Sequence, residues 1–153
     1  MRAASRAGLL LVVAVALLVS GCDTGSSTPI DPSDVDIEYT ITDLVVGTGN
    51  PAAAGNVATF SYTGWLFNGS GTESKGRQFA SSAQSGGAPL VVTIGRRHTL
   101  AGVEQALVGM RVGGKRRVYV PANLGYGPSG TSDGTIPPNA ALVFELELVN
   151  LVQ

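Results

Sequence analysis

The sequence predicts an α+β domain in which an antiparallel sheet of about five strands packs on one short amphipathic helix. Runs rich in alternating, β-branched and aromatic residues indicate the strands, above all residues 57–67 and 140–152. Only one segment, near residues 100–110, has apolar residues at helical spacing. A helix that buries a single stripe needs a sheet to cover it, and no repeat of 20–50 residues favours a solenoid instead.

The strands are predicted from short runs that end at turn residues. Phe60 and Tyr62 share one face of the strand in residues 57–67. In the last strand, Phe144 and Leu146 alternate with Glu145, which is typical of a strand with one buried face. The predicted strands are residues 38–46, 57–67, 90–94, 116–121 and 140–152, and residues 77–80 are compatible with a further short strand.

The single predicted helix is defined by one apolar face. This face consists of Leu100, Val103, Leu107 and Met110, which are spaced as i, i+3, i+7 and i+10. Glycines at 109, 113 and 114 mark its exit.

The first 36 residues are not predicted to belong to this domain. Residues 1–21 combine a basic start, a short apolar run and small residues, as in a secretory signal peptide. The tetrapeptide VSGC resembles a bacterial lipobox, so Cys22 is expected to carry lipid; the alternative is an ordinary signal with an incidental cysteine. Residues 22–36 are expected to form a flexible acidic linker and residues 37–153 the domain. Together these features predict a membrane-anchored lipoprotein of the bacterial cell envelope, facing the periplasm or the cell exterior.

Side-chain composition argues against several kinds of chemistry. Without Arg2 and Arg6 the chain has 8 basic and 11 acidic residues, and no basic patch with interleaved aromatic residues indicates nucleic-acid binding. The four basic residues in 111–117 are expected to form a solvated face, and the one histidine, His98, an exposed loop. With one histidine and one cysteine, no metal-ligand spacing and no nucleophile–histidine–acid set is evident. We therefore expect no metal or cofactor, and any activity should come from shape and apolar surface.

Four segments of the domain occur in an informative order and spacing. They are YTGWL at 62–66, GMRVGGKR at 109–116, LGYG at 124–127 and IPPNAALVFELEL at 136–148. Together they resemble the FK506-binding-protein (FKBP) family of peptidyl-prolyl cis-trans isomerases, from about residue 38 to the end. The resemblance implies a twisted antiparallel sheet wrapped around one short helix, and catalysis of X-Pro isomerisation in an apolar pocket between them. It also implies proline-containing polypeptides as partners, FK506-like macrolides as ligands, and a monomer without a cofactor.

The resemblance assigns site residues position by position. The family's catalytic residues correspond here to Tyr62, Phe79, Tyr126 and Phe144. Its substrate-binding residues correspond to Ala80, Leu90, Leu100, Val103 and Ile136. The resemblance further implies that the Tyr126 hydroxyl bonds a carbonyl of the ligand.

Three of these positions depart from the family pattern. Ala80 stands where an aspartate is usual, Leu90 where an aromatic residue is common, and Val103 where a tryptophan or another large residue forms the pocket floor. The missing carboxylate and the wider floor predict that proline binding is retained while turnover is reduced. The alternative is a non-catalytic chaperone or peptide-binding lipoprotein on the same fold, since fold alone does not decide function.

Overall fold

The computed structural model describes residues 35–69, 72–84 and 86–153. The predicted signal peptide, Cys22 and the linker up to residue 34 lie outside these residues. Within the described ranges, no helix is both long and apolar enough to span a membrane.

The described residues form one antiparallel sheet, as predicted, with six strands. The sixth strand arises because the short segment around residues 77–80 extends to seven residues and pairs with its neighbour. The strands are β1 (Thr40–Val45), β2 (Val57–Phe67), β3 (Lys75–Ser81), β4 (Leu90–Thr93), β5 (Lys115–Val120) and β6 (Leu142–Val152). Their order is β1-β5-β6-β2-β3, with β4 also paired to β2.

Strand β2 pairs along both of its edges. One edge pairs with β6 over nearly its whole length, and the other pairs first with β4 and then with β3. Ala80 of β3 lies opposite Gly64. Leu90 of β4 lies opposite Phe60, so Ala80 and Leu90 lie along the same edge of β2, one after and one before the position of Tyr62.

The inner face of the sheet packs on α1 (Ala101–Leu107), the one α-helix among the described residues. The apolar residues of β6 that share this face are buried, namely Leu142, Phe144, Leu146 and Leu148. Glu145 and Glu147 on the other face are partly exposed, which is the predicted alternation, although Val143 on that face is also buried. The hydrophobic core therefore lies between the sheet and α1.

Helix α1 is shorter than the apolar pattern indicates. It ends at Leu107 because Val108 has an extended backbone and Gly109 adopts a φ of 80°, in the left-handed region. Met110 therefore lies beyond the helix, although it is buried in the same core. Val103 and Leu107 are buried against the sheet, as expected from their spacing.

Arg116 is buried, so the prediction of a solvated basic face is wrong for this residue. Its Nε and Nη2 atoms donate to the carboxylate of Asp43, at 2.6 and 3.1 Å. Its Nη1 atom donates to the carbonyl oxygens of Ala106 and Val108, at 2.8 and 2.9 Å. Because these carbonyls lie at the end of α1, where helical partners run out, one guanidinium joins β1, β5 and the helix.

Arg117 is also ion-paired, on the outer face of the sheet. Its Nη2 atom donates to Glu145 at 2.7 Å and to Glu73. Lys75 bonds the same two carboxylates and lies 4.5 Å from the ring centroid of Trp65. Burial raises the pKa of Glu145, but the hydrogen bonds from Lys75 and Arg117 lower it by more. The pKa therefore lies below its usual value. The network ties Glu73 to three strands of the sheet.

Candidate active site

A cavity of about 90 Å³ lies between the inner face of the sheet and the start of α1. Eight of the nine predicted pocket residues line it: Tyr62, Phe79, Ala80, Leu90, Leu100, Val103, Tyr126 and Phe144. They come from strands β2, β3, β4 and β6, from α1 and its N-cap residue, and from the loop after β5. The fold thus brings residues that are far apart in sequence around one small space.

Ile136 differs from its sequence-based assignment. It is 2% exposed and belongs to the hydrophobic core, and it does not line the cavity. The loop that carries it folds inward, because Thr131 bonds both backbone groups of Ile136: the Ile136 N–H donates to the Thr131 hydroxyl and the Thr131 N–H donates to the Ile136 carbonyl.

Phe60 and Thr99 also line the cavity. Neither residue was assigned to the site from the sequence. Phe60 could have been found, because strand alternation places it on the same face as Tyr62, and the two rings lie 6.2 Å apart. Thr99 had no such signal, since it belongs to the loop that leads into α1.

Aromatic rings form one wall of the cavity. The ring of Phe79 meets that of Phe144 edge to face, with centroids 5.6 Å apart and an interplanar angle of 90°. Phe79 also meets Tyr126 edge to face at 6.4 Å. Such pairs stabilise each other beyond simple burial, so Phe79 holds the rings on both of its sides.

Gly64 is required for this wall. A Cβ atom added there would lie 2.8 Å from atoms of both Phe144 and Phe79, closer than side chains approach each other. The glycine of the YTGWL segment therefore leaves room for the two rings.

The other side of the cavity is formed by Leu100 and Val103, at the start of α1. The buried carboxylate of Glu104 fixes the loop that precedes them: Oε2 accepts from the Gly95 N–H at 2.9 Å and Oε1 from the Thr99 N–H at 3.4 Å. Burial raises the pKa of Glu104, but hydrogen bonds from the loop backbone lower it by more. The pKa therefore lies below its usual value, and the carboxylate stays ionised. Glu104 thereby holds the loop between β4 and α1 against the helix.

Tyr126 brings a phenol hydroxyl to the cavity and is 38% exposed. Burial raises its pKa, and the nearby Tyr62 and Asp133 raise it further. Because the phenol stays protonated at neutral pH, its O–H can donate to a carbonyl of a bound ligand.

None of the described residues that line the cavity carries a charge. Ala80 contributes only a methyl group where it borders the cavity. Among the described residues, no group of three or more His, Cys, Asp or Glu is arranged to hold a metal ion. The lining can enclose an apolar ring and donate hydrogen bonds from hydroxyl groups.

In the described residues, an antiparallel sheet packs on one short helix, and the uncharged aromatic cavity between them has room for a small apolar group. The family model described as "FKBP-type peptidyl-prolyl cis-trans isomerase" matches residues 49–149. The chain belongs to this family of enzymes, as its motifs predicted.

Relatives and solved structures agree with this membership. An FK506-binding protein of Neisseria meningitidis serogroup B is 39% identical over 113 residues, covering 74% of this chain and 95% of the relative. The structure of a peptidyl-prolyl cis-trans isomerase from Pseudomonas syringae pv. tomato matches with a TM-score of 0.60 and 30% identity, over 75% of this chain and 76% of that one. The structure of AtFKBP13 matches with a TM-score of 0.62 and 31% identity, over 74% and 93%. The predicted fold is confirmed by these structures.

Proposed function

We propose that the aromatic cavity is a proline pocket, in which the protein isomerises X-Pro bonds of bound polypeptides. The observation that carries the proposal is the convergence of Tyr62, Phe79, Tyr126 and Phe144 on one uncharged cavity. Membership of the FKBP-type isomerase family supports the reaction type. Because relatives are named FK506-binding proteins, we include FK506-like macrolides among the ligands of this pocket.

Such a pocket can accelerate the reaction without an acid, a base or a metal. Rotation about the bond crosses a barrier of about 18–20 kcal/mol, because amide resonance is lost as the bond twists. An apolar cavity disfavours the planar, polar amide more than the less polar twisted one, which lowers the barrier. An acceleration of about 10⁴-fold requires roughly 5.5 kcal/mol of such differential stabilisation. A hydrogen bond from Tyr126 to the substrate carbonyl would orient the substrate in the pocket.

The test is an assay without protease that follows cis-trans relaxation of an X-Pro peptide by NMR. The proposal predicts a relaxation rate that rises in proportion to protein concentration. A rate equal to that in buffer would contradict it. If the protein instead suppresses aggregation of an unfolded polypeptide without accelerating relaxation, the non-catalytic chaperone is the better description.

The proposal includes a turnover that is limited by Ala80. This residue lies beside the cavity, where it supplies no carboxylate to organise polar groups around the substrate carbonyl. Ala80→Asp is therefore expected to raise kcat/KM about 10- to 100-fold, because a hydrogen bond to a charged group contributes about 1.5–3 kcal/mol. Val103→Trp, which narrows the floor, is expected to act in the same direction.

The matched control for this gain is Ala83→Asp, since Ala83 is exposed and does not line the cavity. We expect kcat/KM of this variant to equal that of the wild type. An equal gain in both aspartate variants, or no gain at Ala80 and Val103, would show that the two departures do not limit turnover.

We further propose that the substrates are envelope proteins, reached from a lipid anchor on Cys22. The support is the signal-like pattern of residues 1–21 followed by VSGC. Cells that express the full chain and are fed labelled palmitate should label the wild type but not Cys22→Ser. Equal labelling of both, or of neither, would contradict the anchor.

A further inference from the structure

The loop between β4 and α1 carries three exposed basic side chains, Arg96, Arg97 and His98. The loop leads directly into Thr99 and Leu100, and both of these line the cavity. Two residues of chain span at most about 7 Å, so the backbone of Arg97 lies within about 7 Å of Thr99, a residue that lines the cavity.

The remaining described cations have partners within the protein. Carboxylates pair with four of them and backbone carbonyls accept from two more; these six are Lys75, Lys115, Arg116, Arg117, Arg77 and Arg111. Among the lysines and arginines of residues 35–69, 72–84 and 86–153, only Arg96 and Arg97 have neither an ion pair nor a side-chain hydrogen bond. Their charges are therefore free to act on a bound molecule.

The acidic groups near the cavity have other partners. Glu104 is buried beneath the loop, and its two oxygens accept from backbone amides rather than from guanidinium groups. Asp133, near Tyr126, accepts from the hydroxyls of Thr131 and Thr135. Glu104 thus fixes the loop backbone while the two arginines stay exposed to solvent.

We propose that Arg96 and Arg97 select polypeptides that carry acidic residues on either side of the proline. The inference rests on the proposed function, because the proline of such a polypeptide would occupy the cavity beside this loop. Two cations on the loop that leads into the cavity lining attract a flanking carboxylate and repel a flanking ammonium. Since the Debye length is about 8 Å at physiological salt, this preference weakens as the salt concentration rises.

The test uses three peptides with one X-Pro core, flanked on both sides by Glu, Gln or Lys. At low salt we expect kcat/KM for the Glu peptide to exceed that for the Lys peptide about tenfold, with the Gln peptide between them. The double variant Arg96→Gln/Arg97→Gln should reduce this ratio to about one and leave the Gln peptide unchanged. The control Arg111→Gln/Lys115→Gln removes the same charge from exposed positions outside the cavity and should keep the ratio.

The outcomes separate this inference from the proposed function. If the Gln peptide is isomerised but the Glu and Lys peptides react equally, charge selection is wrong and the isomerase stands. If no peptide is isomerised, the proposed function fails, and dissociation constants from NMR titration of the three peptides decide the inference. A Glu preference in binding that the Arg96/Arg97 double variant abolishes supports it, whereas equal binding or no binding overturns it.

Discussion

Phe79→Ala is expected to lower kcat/KM for an X-Pro peptide by about 10- to 100-fold. The ring of Phe79 is one wall of the cavity, and it packs edge to face on both Phe144 and Tyr126. Its removal takes away contact with the proline and leaves two neighbouring rings without support. Burial of a large apolar side chain contributes about 1.5–3 kcal/mol, and each 1.36 kcal/mol lost from the transition state is a factor of ten in rate.

Phe67→Ala is the matched control for this variant. Phe67 is also half-buried and packs edge to face on a tyrosine, Tyr119, at 6.1 Å, but it does not line the cavity. We expect it to cost stability and to leave kcat/KM within about twofold of the wild type at a temperature where both variants are folded. Equal losses of activity in the two variants would mean that Phe79 acts through stability alone.

Arg116→Met is expected to lower the free energy of unfolding by about 2–3 kcal/mol. The substitution keeps much of the buried side-chain length but removes the donors to Asp43 and to the carbonyls of Ala106 and Val108. The carbonyl of Ala106 is then buried without that donor, and a buried unsatisfied acceptor is costly. Urea unfolding followed by the fluorescence of the single tryptophan, Trp65, measures the change.

Lys115→Met tests the same change at the neighbouring position of β5. The side chain of Lys115 is 51% exposed, and its partner Glu147 is 46% exposed. Exposed ion pairs contribute about 0–1 kcal/mol, so we expect a loss of less than about 1 kcal/mol. If the two methionine variants unfold at the same urea concentration, the buried guanidinium of Arg116 does not stabilise the fold as its contacts indicate.

Much of the fold could be predicted because local patterns and tertiary packing agree. Alternation in β6 placed Phe144 and Leu146 on the buried face, and that face does pack on the helix. The end of α1 was harder to predict from the sequence. Met110 continues the apolar spacing, but the helix ends at Leu107 and the backbone turns at Gly109. Apolar spacing alone does not record where a helix stops.

The role of Arg116 could not be predicted from the sequence. Its partner Asp43 is 73 residues away and comes opposite it only through the register of β1 on β5. Within its own segment, Arg116 is one of four nearby basic residues, which is the usual pattern of a solvated face. Long-range register, rather than composition, decides which of these cations is buried.

The residues that line the cavity were also predictable from the sequence only in part. The family resemblance assigned eight of its residues, and three of them, Tyr62, Tyr126 and Phe144, come from YTGWL, LGYG and the last strand. Ile136 is the first residue of the segment IPPNAALVFELEL, but it is buried in the core, where its backbone N–H donates to the Thr131 hydroxyl. Motif position therefore indicated most of the residues that line the cavity, while the burial of Ile136 in the core became evident only from the structure.

The most direct measurement is the cis-trans relaxation rate of a neutral X-Pro peptide, compared in buffer, with the wild type and with Phe79→Ala. Without a catalyst this relaxation takes tens to hundreds of seconds at room temperature. A proline pocket predicts a clear acceleration by the wild type that is largely lost in Phe79→Ala and retained in Phe67→Ala. A wild-type rate equal to that in buffer, with the domain shown to be folded, would contradict it.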